Sequence, residues 1–415
     1  MSTVPPSVCC QFCREPLTRT LVDLGKTPLS NSYLAAKDLD RPEGHFPLHT
    51  RVCGKCRLVQ VEAAATPAEI FGHYAYFSSY STSWVDHARR FSELARARWG
   101  LNEASKVVEV ASNDGYLLRH FVAAGVPVLG VEPAANVAES ARAAGVETDV
   151  AFFGLETAQR LKNAGHAADL LVGNNVFAHV PDINDFTAGL ACLLKPDGVL
   201  SLEFPHLLRL IEDVQFDTIY HEHFSYLSLL TTERIFAAHG LRVFDVAELP
   251  THGGSLRVMA CLAASTAHPE RPGLAKVRLD EERARLDQDE GYEGFAPKVT
   301  AVCADLQAFL RQAQAEGRTV AAYGAAAKGN TLLNCCGITA EQIICVVDRN
   351  PHKQGCFMPG SRIPIHAPEK LTELKPDYVL ILPWNIKDEI TAQMAEVRGW
   401  GGQFVIAIPS LTLLP

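Results

Sequence analysis

From residue 106 onward, short apolar runs alternate with segments of helical period. Val107-Val108-Glu109-Val110, Val128-Leu129-Gly130-Val131-Glu132, Leu170-Leu171-Val172-Gly173 and Val199-Leu200-Ser201-Leu202-Glu203-Phe204 read as core strands. Runs of this length and near-continuous apolarity suit strands covered on both faces. Helical patterns over 116–124 and 134–144 follow the first two. Such alternation predicts a mainly parallel sheet flanked by helices. A second alternation begins at Thr319: strand 319–323, helix 328–336, strand 343–347, then apolar runs 378–382 and 403–408. It predicts a second, smaller α/β unit over 319–415. Between the two, residues 266–298 are charged and carry no strand signal, and 281–289 reads as a solvated helix in a connector. The first 70 residues are loop-rich, with one strand-like run, Leu58-Val59-Gln60-Val61. An aromatic and hydroxyl stretch over 74–84 then leads into a helical pattern over 85–99. The expected division is therefore 1–70, 71–265 and 266–415.

Composition supports a folded, multi-domain chain. At 415 residues, with 47% hydrophobic and 20% charged residues, it can bury two or three cores. No apolar run approaches the roughly 20 residues of a membrane span, and residues 1–8 lack the basic and apolar regions of a signal peptide. A net charge of −9 argues against broad nucleic-acid binding, which needs a basic surface. Twelve cysteines without a secretion signal fit a reducing, cytoplasmic setting, where CxxC pairs hold metal more often than disulfides.

Cys10-x2-Cys13 and Cys53-x2-Cys56 are two such pairs. Four thiolates on short hooks match tetrahedral zinc, and a site without an open position is structural. Cys9 adjoins Cys10 and leaves a register choice, but Cys10 gives the two-residue spacing. The seven cysteines from Cys192 onward read as core residues.

Three further motifs carry chemistry. After Glu109, the turn Ala111-Ser112-Asn113-Asp114-Gly115 joins strand to helix, which aims backbone N–H groups at an anionic ligand. Glu132 ends the next strand, where a carboxylate can accept from two ribose hydroxyls. The turn lacks GxGxxG; a single glycine after an acidic residue suits a nucleoside carrying a carboxylate, S-adenosylmethionine. Asn174 and Asn175 add polar groups at the same sheet edge. In Tyr220-His221-Glu222-His223-Phe224-Ser225-Tyr226, Ser225 replaces the second histidine of a zinc-protease motif, so that reading fails. A histidine beside a glutamate remains a candidate general base, and Thr251-His252-Gly253-Gly254-Ser255 forms a further polar turn. Gly324-Ala325-Ala326-Ala327-Lys328-Gly329-Asn330 again joins strand to helix and could hold phosphate through amides and Lys328. Asp348 ends the following strand, and Arg349, His352 and Lys353 lie nearby.

Taken in order, these motifs resemble the C-methyltransferases that act on nucleotide-linked 4-keto-6-deoxyhexoses. The resemblance spans nearly the whole chain and also takes in Pro28-Leu29-Ser30-Asn31 and Tyr74-Ala75-Tyr76-Phe77-Ser78-Ser79-Tyr80-Ser81. It implies an α/β protein of three parts: an N-terminal zinc-binding domain over 1–70 and a class I, Rossmann-like S-adenosylmethionine domain over 71–265. Connector helices and a C-terminal Rossmann-like domain for the sugar nucleotide would fill 266–415. It implies a base at His223, with Tyr220 or His179 as enolate donors and Glu222 orienting a histidine or touching sugar. Tyr74 and Tyr76 would close over the ligands. Glu109, Ser112 and Gly115 would hold the methionine part, Glu132 the ribose, Phe152 the adenine and Asn175 the pocket wall. Lys328 and Lys353 would meet the pyrophosphate, with Tyr323 and Asn385 as nucleotide contacts. Zinc on Cys10, Cys13, Cys53 and Cys56 would brace the fold. The implied protein is a monomer that engages neither nucleic acid nor membrane.

Two other readings remain open at this point. One is a nicotinamide-dependent sugar oxidoreductase built on the second α/β unit, which the absence of GxGxxG disfavours. The other is a zinc-ribbon adaptor without catalysis, which the acidic charge disfavours for nucleic acid.

Overall fold

The computed structural model describes residues 8–62 and 77–414; Tyr74 and Tyr76 lie outside the described residues. Among these, three sheets form, with strands numbered here in chain order. The first holds β1 (Arg19–Thr27), β2 (Phe46–Val52), β3 (Val59–Val61) and, far later in the chain, β9 (Ser225–Tyr226), in the order β1-β2-β3-β9, all antiparallel. The second comprises β4 (Val107–Val110), β5 (Val128–Val131), β6 (Thr148–Asp149), β7 (Ala168–Asn174), β8 (Leu194–Pro205), β10 (Leu241–Leu249) and β11 (Ser255–Leu262). Its order is β10-β11-β8-β7-β4-β5-β6. The third, ordered β14-β13-β12-β15-β16-β17, contains β12 (Val320–Tyr323), β13 (Val346–Val347), β14 (Ile365–His366), β15 (Tyr378–Ile381), β16 (Gln403–Ile406) and β17 (Thr412–Leu414).

The apolar runs place the parallel cores where the sequence predicts them. β4 lies between β5 and β7, so successive connections leave it in opposite directions and open a crevice at its carboxyl end. β12 occupies the equivalent position in the third sheet, between β13 and β15. Neither β1 and β2 nor the antiparallel pair β10–β11 was expected. Their sequences mix polar and apolar positions, and their pairing sets them in the sheet rather than a continuous apolar run.

The connector departs from expectation. The helix runs Pro272–Arg283, begins at a proline and buries Leu274 and Val277. Residues 284–294 are not α-helical beyond a 3-10 turn at Asp289–Gly291, and a 21-residue helix, Phe295–Ala315, follows. Glu281 is not solvated: it is 3% exposed and binds His206 Nε2 at 2.7 Å and the N–H groups of Leu229 and Leu230 at 2.6 and 2.8 Å. It thereby satisfies the orphan donors that open helix Leu229–Ala238. The predicted helix 116–124 is likewise shorter, Leu118–Val122.

The three sheets share cores. Leu21, Leu48 and Val52 of the first sheet pack in one cluster with Phe216 and Ile219 before the histidine-rich run and with Phe295, Val299 and Leu306 of the long helix. The zinc-ligand cysteines pack with Leu58, Leu227, Ile235 and Phe236 in another. Leu34 and Phe357 exchange backbone hydrogen bonds at 3.0 and 2.9 Å, tying the N-terminal segment to the C-terminal unit. No helix among the described residues is long and apolar enough to cross a membrane.

Replacing Glu281 by alanine leaves two helix-opening N–H groups and a buried histidine without their acceptor. We expect a loss of about 3 kcal/mol in urea unfolding; a change below about 0.5 kcal/mol would show the bonds to be dispensable.

Candidate active site

The metal site repeats one knuckle twice. Cys10 N donates to Glu15 O and Arg14 N to Cys10 O; Cys53 N donates to Leu58 O and Arg57 N to Cys53 O. Arg14 and Arg57 close the two turns with φ of 63° and 67°. This curls each CxxC so that its thiols face inward. Cys10 and Cys56 Sγ are 3.5 Å apart, Cys13 and Cys53 Sγ 3.4 Å, and all four lie within 4.8 Å of one another. A tetrahedral zinc with Zn–S near 2.3 Å needs S–S edges of about 3.8 Å, so the four fit zinc. Cys9 is exposed and outside this group, which settles the register on Cys10.

At the carboxyl end of β4 the chain turns sharply. Ala111, Asn113 and Gly115 have φ of 54°, 50° and 74°. A side chain at Gly115 would press on Val146 Cγ2 at 2.9 Å, so this turn requires glycine twice over. Glu132, ending β5, accepts from Asn113 N at 3.0 Å and Ala134 N at 2.9 Å; burial raises its pKa and those amides lower it. Glu109 is fully buried, and desolvation lifts its pKa well above the carboxylate range, with Tyr116 opposing. Ser112 Oγ, Asp114 Oδ1, Asn174 Oδ1 and Asn175 Oδ1 are buried without hydrogen-bond partners among the described residues. Such a set at the ends of adjacent strands is costly unless a ligand supplies donors, and the hydroxyls and ammonium of S-adenosylmethionine would do so. Ser78 N and Ser79 N donate to Asn113 Oδ1 and Asp114 Oδ2 at 2.8 and 3.1 Å, pinning the end of the aromatic stretch over this turn. Phe152 lies beyond β6, nearly half exposed, its carbonyl accepting from Thr157 Oγ1 at 2.9 Å.

The histidine-rich run lies beside this crevice. His223 Nδ1 meets Thr218 O at 2.9 Å. A carbonyl only accepts, so Nδ1 carries the proton and Nε2 the lone pair. Burial, then His179, holds the His223 pKa well below its usual value, so the ring is neutral. The His179 and Tyr220 rings approach that of His223 with centroids 4.6 and 4.0 Å away. Burial lowers the His179 pKa to about 4, the Glu222 backbone opposing. Glu222 Oε1 accepts from Asn31 Nδ2 at 2.6 Å; burial raises its pKa, which Asn31 and Lys353 moderate.

From the third sheet, Lys328 Nζ donates to Asn385 Oδ1 at 2.8 Å and lies 4.9 Å from the Trp384 ring centre. Lys353 Nζ and Tyr33 Oη both donate to Ala325 O, at 2.7 and 2.5 Å. Burial lowers the pKa of both lysines, against Asp217 for Lys328 and against Asp348 and Glu222 for Lys353. Tyr323 stands apart, in an apolar cluster with Val347, Ile381 and Ile390.

Several residues at the crevice were given no role from the sequence, although His252 lies in the polar turn noted there. Asp217 accepts from Trp384 Nε1 at 2.8 Å, and burial, against Lys328, raises its pKa to about 6. His252 Nε2 meets Asn175 Nδ2 at 3.0 Å, and its pKa falls to about 4 through burial and Lys328. Glu203, ending β8, binds His87 at 2.9 Å, Thr251 at 2.9 Å and Arg257 at 2.5 Å. A carboxylate at a predicted strand's carboxyl end was the available signal for Glu203; adjacency to the histidine run was that for Asp217.

Comparison with known proteins agrees with this geometry. Residues 10–71 match a family described as a putative zinc binding domain, 82–246 a methyltransferase domain, and 250–409 a C-methyltransferase C-terminal domain. The class is therefore an S-adenosylmethionine-dependent methyltransferase carrying a structural zinc site. Over 400 residues the chain is 40% identical to the C-methyltransferase NovU of Streptomyces niveus, covering 96% of this chain and 95% of that protein. The chain belongs to this C-methyltransferase family. A ubiquinone biosynthesis O-methyltransferase of Chelativorans sp. (strain BNC1) is 29% identical over 24% of this chain and 39% of its own length. A Pyrococcus horikoshii OT3 structure, 14% identical, covers 47% of this chain and 97% of that chain with a TM-score of 0.36, and adds nothing to the assignment. Family membership sets aside the oxidoreductase and adaptor readings.

Because the folded His179 titrates near pH 4 and an unfolded histidine near 6.5, the unfolded chain binds the extra proton between those values. Its contribution to stability is present above pH 6.5 and lost as pH falls toward 4. Relative to His179→Gln, the wild type should lose up to about 1.4 kcal/mol per pH unit in that window. Urea titrations at pH 7 and pH 5 measure this; a constant gap between the two proteins would contradict the buried, neutral ring.

Proposed function

We propose that this enzyme methylates C3 of a nucleotide-linked 4-keto-6-deoxyhexose, as a step in branched deoxysugar synthesis. The observation that supports this best is the neutral, tautomer-locked His223 beside the crevice at the end of β4, within the electrostatic reach of Lys328 from the C-terminal unit. Carbon is a poor nucleophile until a proton leaves beside a carbonyl. His223 Nε2 takes the C3 proton, and the electron pair moves through C3–C4 onto the ketone oxygen as an enolate. Tyr220 donates a hydrogen bond to that oxygen; His179, whose single N–H as a neutral ring serves the Glu222 backbone, lies alongside without a second donor. S-adenosylmethionine supplies an electrophilic methyl group and leaves as the neutral thioether. Collapse of the enolate onto that methyl forms the new C3–C bond, and alignment of the two carbons supplies much of the rate.

Glu222, anchored by Asn31, is positioned to accept from a sugar hydroxyl or amine. Lys328 and Asn385, with Lys353, offer donors for the diphosphate of the nucleotide. Glu109, Ser112, Gly115, Glu132 and Asn175 hold the methyl donor, Phe152 flanks its adenine, and Tyr323 contributes to the nucleotide side.

His223→Asn keeps a donor near Thr218 O but removes the basic lone pair. Methyl transfer from S-adenosylmethionine to a thymidine-diphosphate 4-keto-6-deoxyhexose should fall by about 10²- to 10⁴-fold. Exchange of the C3 hydrogen in D₂O should disappear with it, while S-adenosylhomocysteine affinity stays within about twofold of wild type. Near-normal turnover by the variant would remove His223 from the role; a wild-type enzyme inert to 4-keto sugar nucleotides would remove the substrate class.

A further inference from the structure

We propose that Gln11 and Gln60 are positioning residues that join the zinc thiolates to the strand carrying the base, so that the metal site sets the placement of His223. This rests on the reading of His223 as base only for its effect on rate; the structural coupling stands by itself. Gln11 sits inside the first knuckle, between Cys10 and Cys13, and Gln60 lies in β3, 2% exposed. Gln60 Nε2 donates to Cys10 Sγ at 3.3 Å and to Leu58 O at 3.3 Å, while its Oε1 accepts from Gln11 N at 2.8 Å. The amide is thus used at both ends, one of them on a metal-ligand sulfur. A donor to a thiolate sulfur orients the ligand and draws charge from it, as partners outside the coordination sphere do in metal sites generally.

The same two residues grip the catalytic run. Gln60 pairs with Ser225 across β3–β9, and Val61 N donates to Phe224 O at 3.1 Å, one residue past His223. Gln11 Nε2 donates to Val61 O at 3.2 Å, and Gln11 Oε1 accepts from Ser225 Oγ at 3.4 Å. From the opposite side, Phe224 N donates to Ala178 O at 2.8 Å, beside His179. Residues 224–226 are therefore held between the zinc sheet and the turn that carries the second histidine. The knuckle itself cannot drift, because Asn184 Nδ2 donates to Gln11 O and Phe12 O at 3.1 and 3.0 Å. A shift of the Cys10 thiolate moves Gln60, Gln60 moves β3, and β3 carries β9. These bonds direct the influence of the zinc site toward His223.

Variants at Gln60 and Gln11 test this in the full-length protein. In the Co(II)-substituted enzyme, Gln60→Met should shift the thiolate-to-metal charge-transfer band and speed metal loss to a chelator, because an N–H···S bond is gone. Gln11→Leu should leave that band in place. Both should increase hydrogen exchange at the Ser225 and Tyr226 amides. Both should also lower kcat about tenfold at unchanged S-adenosylhomocysteine affinity, within the range typical of outer-sphere partners of metal ligands, and Gln60→Glu should restore none of the band position. An unshifted Co(II) band in Gln60→Met, or unchanged exchange at β9 in both variants, overturns the coupling. Raised exchange with wild-type kcat overturns only its link to catalysis. The spectral and exchange measurements need no sugar substrate, so an error in the assigned substrate leaves them readable.

Discussion

The pairing of β3 with β9 is the contact on which the rest of the site depends. Two residues, Ser225 and Tyr226, leave the middle of the chain to complete the first sheet by pairing with Gln60 and Val59, roughly 165 positions earlier. A strand so short has little stability of its own. It persists because apolar neighbours on both sides are buried in cores shared between units. His221, bonded through Nε2 to the carbonyls of Phe46 and Pro47 at 3.3 and 3.2 Å, adds a second tie to the first sheet. His223 is consequently placed by the zinc-bearing sheet, the methyltransferase sheet and the turn at Thr218 together.

Electrostatics in the crevice follow from the same burial. Neutral histidines at 179, 223 and 252, carboxyls raised at 109, 132, 217 and 222, and lysines lowered at 328 and 353 all report one cause, removal of water from charged forms. A site of this kind suits chemistry in which charge is created transiently. It keeps His223 unprotonated and disfavours water around its ring. Glu203 is the exception: burial alone would raise it, yet His87 and Arg257 bring its pKa down to about 2. It stays ionised as the anchor of Thr251 and of the turn that presents His252 to Asn175.

How much of this was legible depended on whether the signal was local. The CxxC spacing, the strand–turn–helix at 107–118 and the carboxylate at 132 each carry their chemistry within a few residues, and the structure puts Cys10, Cys13, Cys53 and Cys56 in one cluster. Lys328 and Asn385 were both singled out, although their 2.8 Å bond joins residues 57 apart. By contrast, 281–289 read as a solvated helix because its charges are dense. Burial of Glu281 depends on His206 and on the start of helix Leu229–Ala238, neither visible from the segment itself. Tyr323 enters as a nucleotide contact through the resemblance alone; its ring packs in the apolar cluster with Val347 and Ile381, a placement that its own segment does not announce.

The sequence by itself determined the two parallel α/β units, the zinc hooks and the class of turn at each ligand site, because apolar period, cysteine spacing and turn chemistry are short-range properties. Only the tertiary structure decided which tautomer His223 adopts, which carboxyls have raised pKa values, and that Gln11 and Gln60 bond both to the zinc knuckles and to the strands beside His223. Those outcomes depend on partners distant in sequence and on the exclusion of water, which no single segment encodes.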